Sequence, residues 1–101
     1  MDHDISFKLI SETAEKDSTG QMIVTKKETE CLGFEHSVYQ NEFFSADQSG
    51  IRSEGVIKMN QIEYNGEKLL SINGQEFSIY RTFEPDADWI ELYYGRRVGN
   101  G

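Results

Sequence analysis

Asn65-Gly66-Glu67-Lys68-Leu69-Leu70-Ser71-Ile72-Asn73-Gly74-Gln75-Glu76-Phe77-Ser78-Ile79-Tyr80-Arg81-Thr82-Phe83 is the stretch that decides the fold class. Asn-Gly occurs twice in it, and Asn-Gly is the strongest short hairpin signal, because both central residues of a type I′ turn need positive φ. Between the two copies, Lys68 to Ile72 is long enough only for a short strand. After the second, Phe77 to Phe83 alternates apolar and polar side chains, as a half-buried strand does. A chain that turns back at such short intervals is built from β-strands.

The rest of the sequence extends this pattern. Ile5-Ser6-Phe7-Lys8-Leu9 alternates, and Asp17-Ser18-Thr19-Gly20 is a turn cluster that reverses the chain. From Met22 to Val38 a long extended stretch follows. Met22, Val24, Leu32 and Phe34 share one parity, while Lys26 to Glu30 are polar on both faces. Such a strand either bends, with Gly33 as a candidate bulge, or juts beyond the body of the domain. Val56 to Ile62 is β-compatible. Trp89 to Tyr94 makes the last strand after the turn Pro85-Asp86-Ala87-Asp88.

One segment breaks the rhythm. Ser37-Val38-Tyr39-Gln40 fits a capping box, and Tyr39 and Phe43 stand four apart, which places one short helix between Ser37 and Ala46. Asp47-Gln48-Ser49-Gly50 then opens an exposed loop expected to run through Ile51, Arg52, Ser53 and Glu54 to Gly55. The fold class is therefore mainly β: a small barrel of about six or seven mostly antiparallel strands, with one short helix and a long loop. The chain of 101 residues is read as a single domain spanning residues 1–101.

Charge narrows the function. Ten Lys and Arg against eighteen Asp and Glu leave a formal net charge of -8. Phosphate neutralisation by clustered cations dominates nucleic-acid affinity, so this balance argues against gripping DNA, RNA or anionic lipid. A single cysteine, Cys31, excludes an internal disulfide and is too little for a thiolate metal site. The N-terminal residues do not form a signal peptide, and no apolar run approaches the roughly 18 residues of a membrane span. A soluble protein of a reducing cytoplasm is expected.

No residue set invites catalysis, and no cofactor or metal is expected. Cys31 and His36 have opposite parity and point to opposite faces of a regular strand. Asp86 and Asp88 suit a turn better than a cation site. No phosphate loop, HExxH, GxSxG or CxxC is present. The aromatic residues, among them Tyr39, Phe43 and Phe44, suit core or interface packing. Arg81, on the apolar parity of its strand, is either a subunit contact or an edge residue leaning into solvent.

Three stretches together resemble a known family. They are Ser37-Val38-Tyr39-Gln40-Asn41-Glu42-Phe43-Phe44-Ser45-Ala46 with Gln48 and Gly50; Ile62-Glu63-Tyr64-Asn65-Gly66-Glu67; and Asn73-Gly74 leading to Ser78-Ile79-Tyr80-Arg81-Thr82-Phe83, then Ile90-Glu91-Leu92-Tyr93-Tyr94 and Arg97-Val98-Gly99. In order and spacing the chain is similar to the head-closure proteins of long-tailed phages and prophages of Gram-positive bacteria, also called stopper, head-completion or head-tail joining proteins. Gln40 and Asp47 depart from it, standing where the family commonly has a basic residue and a glycine.

The resemblance implies a structural virion protein, monomeric in isolation, that joins a homo-oligomeric ring below the portal and adaptor proteins. That ring closes the DNA channel after packaging and offers a docking surface to the tail or tail-terminator protein. Assembly takes place in the host bacterial cytoplasm. The loop Asp47 to Gly55 would project into the channel, and DNA would pass an acidic wall without specific binding. Tyr39, Phe43, Phe44 and Arg81 are the candidate interface residues. The competing expectation is an acidic regulatory or inhibitory binder of the DNA-mimic type.

Overall fold

A computed structural model describes residues 3–36 and 50–97. Six strands account for about three quarters of them: β1 (His3–Lys16), β2 (Met22–His36), β3 (Ile51–Asn60), β4 (Leu69–Ile72), β5 (Gln75–Phe83) and β6 (Trp89–Arg97). All neighbours run antiparallel, and the order β1-β2-β3-β6-β5-β4 closes back on β1 as a barrel. Closure removes the sheet edges that would otherwise template pairing with other chains. The interior is filled by Phe7, Leu9, Ile57, Met59, Leu70, Ile90 and Leu92, with Phe77, Ile79 and Tyr94 beside them. The candidate helix at Ser37–Ala46, with Tyr39, Phe43 and Phe44, lies outside the described residues, as do Asp47, Gln48 and Ser49.

Asn73-Gly74 turns as its sequence requires. Asn73 has φ 54° and Gly74 φ 80°, and β4 pairs with β5 immediately on either side. Asn65-Gly66 does not make a hairpin. The strand before it, β3, pairs with β6, and the strand after it, β4, pairs with β1. The chain instead crosses over through a short 3₁₀ turn at Gln61–Glu63. Polar contacts hold this crossing: the Tyr64 hydroxyl donates to the Glu67 carbonyl at 2.6 Å, and the Asn65 amide donates to the Glu67 carboxylate at 2.8 Å.

β1 and β2 are far longer than the barrel needs. Their ladder runs unbroken from His3↔Glu35 to Lys16↔Met22. Yet β1 meets β4 only at Lys8–Ile10, and β2 meets β3 only at Phe34–His36. The far half of the hairpin therefore stands out as an arm, and the molecule measures 51 × 34 × 25 Å. Of the two possibilities for β2, the overhang occurs and the bulge at Gly33 does not. Gly33 serves close approach instead: a Cβ there would lie 2.7 Å from the Lys58 carbonyl oxygen and 2.9 Å from Ile57 Cγ2.

Candidate functional site: the mouth that carries residues 37–49

Residues 37–49 connect β2 to β3, and the described residues on either side are the end of β2 and the start of β3, with the end of β6 paired to the latter. The loop expected to extend to Gly55 stops earlier. Ile51, Arg52, Ser53, Glu54 and Gly55 are strand residues, laddered to β6 from Ile51↔Arg97 through Gly55↔Tyr94. Polar composition disguised the alternation. Ile51, Ser53 and Gly55 point inward and are buried, while Arg52 and Glu54 point out. Ser53 tolerates burial because its hydroxyl shares a 2.8 Å hydrogen bond with that of Tyr80.

The ladder shifts between Ser53 and Gly55, a β-bulge that leaves Glu54 without a directly opposed residue. The Glu54 carboxylate faces the Arg96 guanidinium at 3.7 Å. Gly55 is needed next to it, since a Cβ there would meet the Tyr94 hydroxyl at 2.7 Å. With that space left open, the Tyr94 hydroxyl passes over β3 and donates to the Glu35 carboxylate on β2. Burial, then the Glu35 hydrogen bond, then the charges of Glu35 and Glu54, push the Tyr94 phenol far above its ordinary range. It is a neutral donor that ties β6 to β2 across the mouth, and it has no capacity as a base.

Among the described residues the last β2–β3 pair is His36↔Val56, and the β3–β6 ladder runs on to Ile51↔Arg97. Residues 51–55 continue β3 beyond that pair along β6. Arginines gather around this end. Arg52 stands opposite Arg96, and Arg97 opposite Ile51. Arg96 lies 5.4 Å from the Phe77 ring centroid, and Arg81 lies 4.1 Å from that of Tyr93. Arg81 leaves the inward parity because the ladder shifts between Ile79 and Arg81, so it is exposed and stacked on an aromatic face.

Charge is therefore divided along the barrel. At the other end of the β3–β6 ladder, beyond Asn60↔Trp89, sit Glu63, Glu84, Asp86 and Asp88. At the described ends of the strands that flank residues 37–49, Arg52, Arg96 and Arg97 stand near Glu35 and Glu54, with Arg96 paired to Glu54. Asp86 works as a turn residue, its carboxylate accepting from the Asp88 and Trp89 amides at 2.9 and 3.1 Å. Among the described residues no group of three or more His, Cys, Asp or Glu could hold a metal ion.

Cys31 is buried in the core, at an inward position of the unbroken β1–β2 ladder. Burial, with Glu63 and Glu67 nearby, raises the thiol above its ordinary range and disfavours the thiolate a nucleophile needs. No described helix is long and apolar enough to cross a membrane. The chain matches no protein-family model, no curated protein and no solved structure.

Proposed function

We propose that this chain is a structural assembly protein that completes the head of a long-tailed phage. In this reading it joins a ring below the portal and adaptor, closes the DNA channel after packaging and presents a surface to the tail. It is made in the host cytoplasm and carries out no reaction. The observation that carries the reading is the mouth. Residues 37–49, whose sequence resembles the short helix and the start of the channel loop of head-closure proteins, connect β2 to β3, and the Tyr94–Glu35 bond ties β6 to the end of β2 beside them.

The arginines at the root change how the loop would act. In place of a uniformly acidic wall, the loop would close the channel from a base carrying Arg52, Arg96 and Arg97, which can contact a DNA end held at the constriction. Replacing Gln48-Ser49-Gly50 with a short rigid turn tests the reading in assembled particles. The barrel should fold unchanged, and DNA retention before tail attachment should fall. Particles that retain DNA and infect equally well would remove the loop from the mechanism.

A further inference from the structure

Directly opposed residues of an antiparallel pair point to the same side, so the even-numbered residues of β1 and β2 form one face of the hairpin. The odd face carries Phe7, Leu9 and Cys31 into the core, and the even face looks outward at both ends, while Ile10 at its middle is only 3% exposed beneath the neighbouring side chains. Apolar residues occupy both ends of that outer face. At the tip Met22 pairs with Lys16 and Val24 with Ala14; at the base Leu32 pairs with Ser6 and Phe34 with Asp4. Met22, Val24 and Leu32 are 60%, 59% and 73% exposed. Between the ends lie Glu12 opposite Lys26 and Lys8 opposite Glu30, and the middle is Ile10 opposite Glu28.

We propose that this face binds the same face of a second copy, antiparallel, about a twofold axis beside the exposed Glu28, with Ile10 buried beneath it. The operation lays each strand over its own counterpart in reverse. Met22 then falls on Phe34 of the second copy, and Val24 on Leu32. Lys16 falls on Asp4, Glu12 on Lys8, and Lys26 on Glu30, each a pair of opposite sign. This reversed order of charge, more than the apolar exposure, selects another copy of the chain as occupant. Glu28 meets its own image, with the Lys8 ammonium 3.7 Å away to offset the repulsion.

Lys26 lies 3.9 Å from Glu12 and 3.4 Å from Glu76 within one chain. Turning it toward Glu30 gives up two exposed ion pairs for one, each of them worth little in water. The right-handed twist of both ribbons is kept if they coil around each other.

From Asp4 to Lys16 the face is about 40 Å long, and at about 10 Å wide it covers on the order of 400 Å² per copy. That is the area of a weak interface, with dissociation near about 100 μM. A twofold contact closes on itself and stops at two copies. The pairing is independent of the head-closure reading, because a ring needs head-to-tail contacts and the pair would open before entering one.

Sedimentation of the full chain from about 10 μM to about 1 mM tests the pairing. A monomer–dimer equilibrium is expected. Met22→Glu with Val24→Glu should weaken it by about tenfold or more while the circular dichroism stays unchanged. Lys16→Glu and Asp4→Lys should each weaken it, and the two together should restore it. A monomer at every concentration, assembly beyond two copies, indifference to the tip variant, or no recovery in the charge swap would each overturn the proposal.

Discussion

Between Phe7 and Ile10, and again from Thr29 to Glu35, the β1–β2 hairpin is a wall of the barrel; between Ser11 and Thr25 the same ladder is an arm. Both halves make the same backbone hydrogen bonds. In the barrel half, Phe7, Leu9 and Cys31 are at most 4% exposed, whereas Ile23 on the same face of the arm is 49% exposed. Hydrogen bonding thus sets the shape of the hairpin, and burial sets where it is stable, since a two-stranded hairpin alone is marginal in water. The arm is held by its turn. The Asp17 carboxylate accepts from the Thr19 amide, the Thr19 hydroxyl and the Gln21 amide at 2.9, 2.6 and 2.9 Å.

The sharpest break in the comparison is a truncation in each half. Phe7→Ala should cost about 3–5 kcal/mol in urea unfolding, because it empties a site at the barrel centre. Val24→Ala should stay within about 0.5 kcal/mol at concentrations where the chain is monomeric. Equal losses would mean that the arm packs on something within its own chain. Next in size is Gly33→Ala, expected to cost about 1–3 kcal/mol, since the added methyl meets the Lys58 carbonyl and Ile57 where β2 passes closest to β3.

Alkaline pH separates the halves again. Tyr94 has a raised pKa in the folded chain, from an ordinary value of 10.0. Below that value both states hold the proton and stability is unaffected. Above it the unfolded chain releases the proton while the folded one keeps it, so stability should fall as pH rises beyond 10. Tyr94→Phe should remove one proton from that slope, as measured by urea midpoints across the alkaline range. The smallest effect belongs to Asp17→Ala. It should speed amide exchange in the arm and leave barrel amides at the global rate. The Thr19 hydroxyl first, then the Gln21 amide, hold the Asp17 carboxyl below its ordinary value, so the arm should also loosen as pH falls below 3.8.

Local signals in the sequence were reliable where the structure needs only local geometry. Asn73-Gly74 turns because two residues can satisfy a I′ turn alone. Asn65-Gly66 carries the same signal and makes no hairpin, because β3 finds its partner in β6 and β4 in β1. No short window contains those pairings. The overhang of β2 was legible as an apolar-charged-apolar strand with one parity. The strand start at Ile51 was hidden because Ser53 and Gly55 occupy inward positions, and what suits them there, the hydroxyls of Tyr80 and Tyr94, lies far along the chain. Tyr94 itself read only as a strand aromatic, and no sequence signal linked it to Glu35.

The account stands most directly on binding. Under the proposed function, the purified chain should be mixed with a portal–adaptor assembly encoded alongside it, and the mixture separated by size and imaged. The account predicts that the chain co-migrates with the assembly and adds a ring below the adaptor. A chain that stays separate under conditions that reconstitute a connector would contradict it.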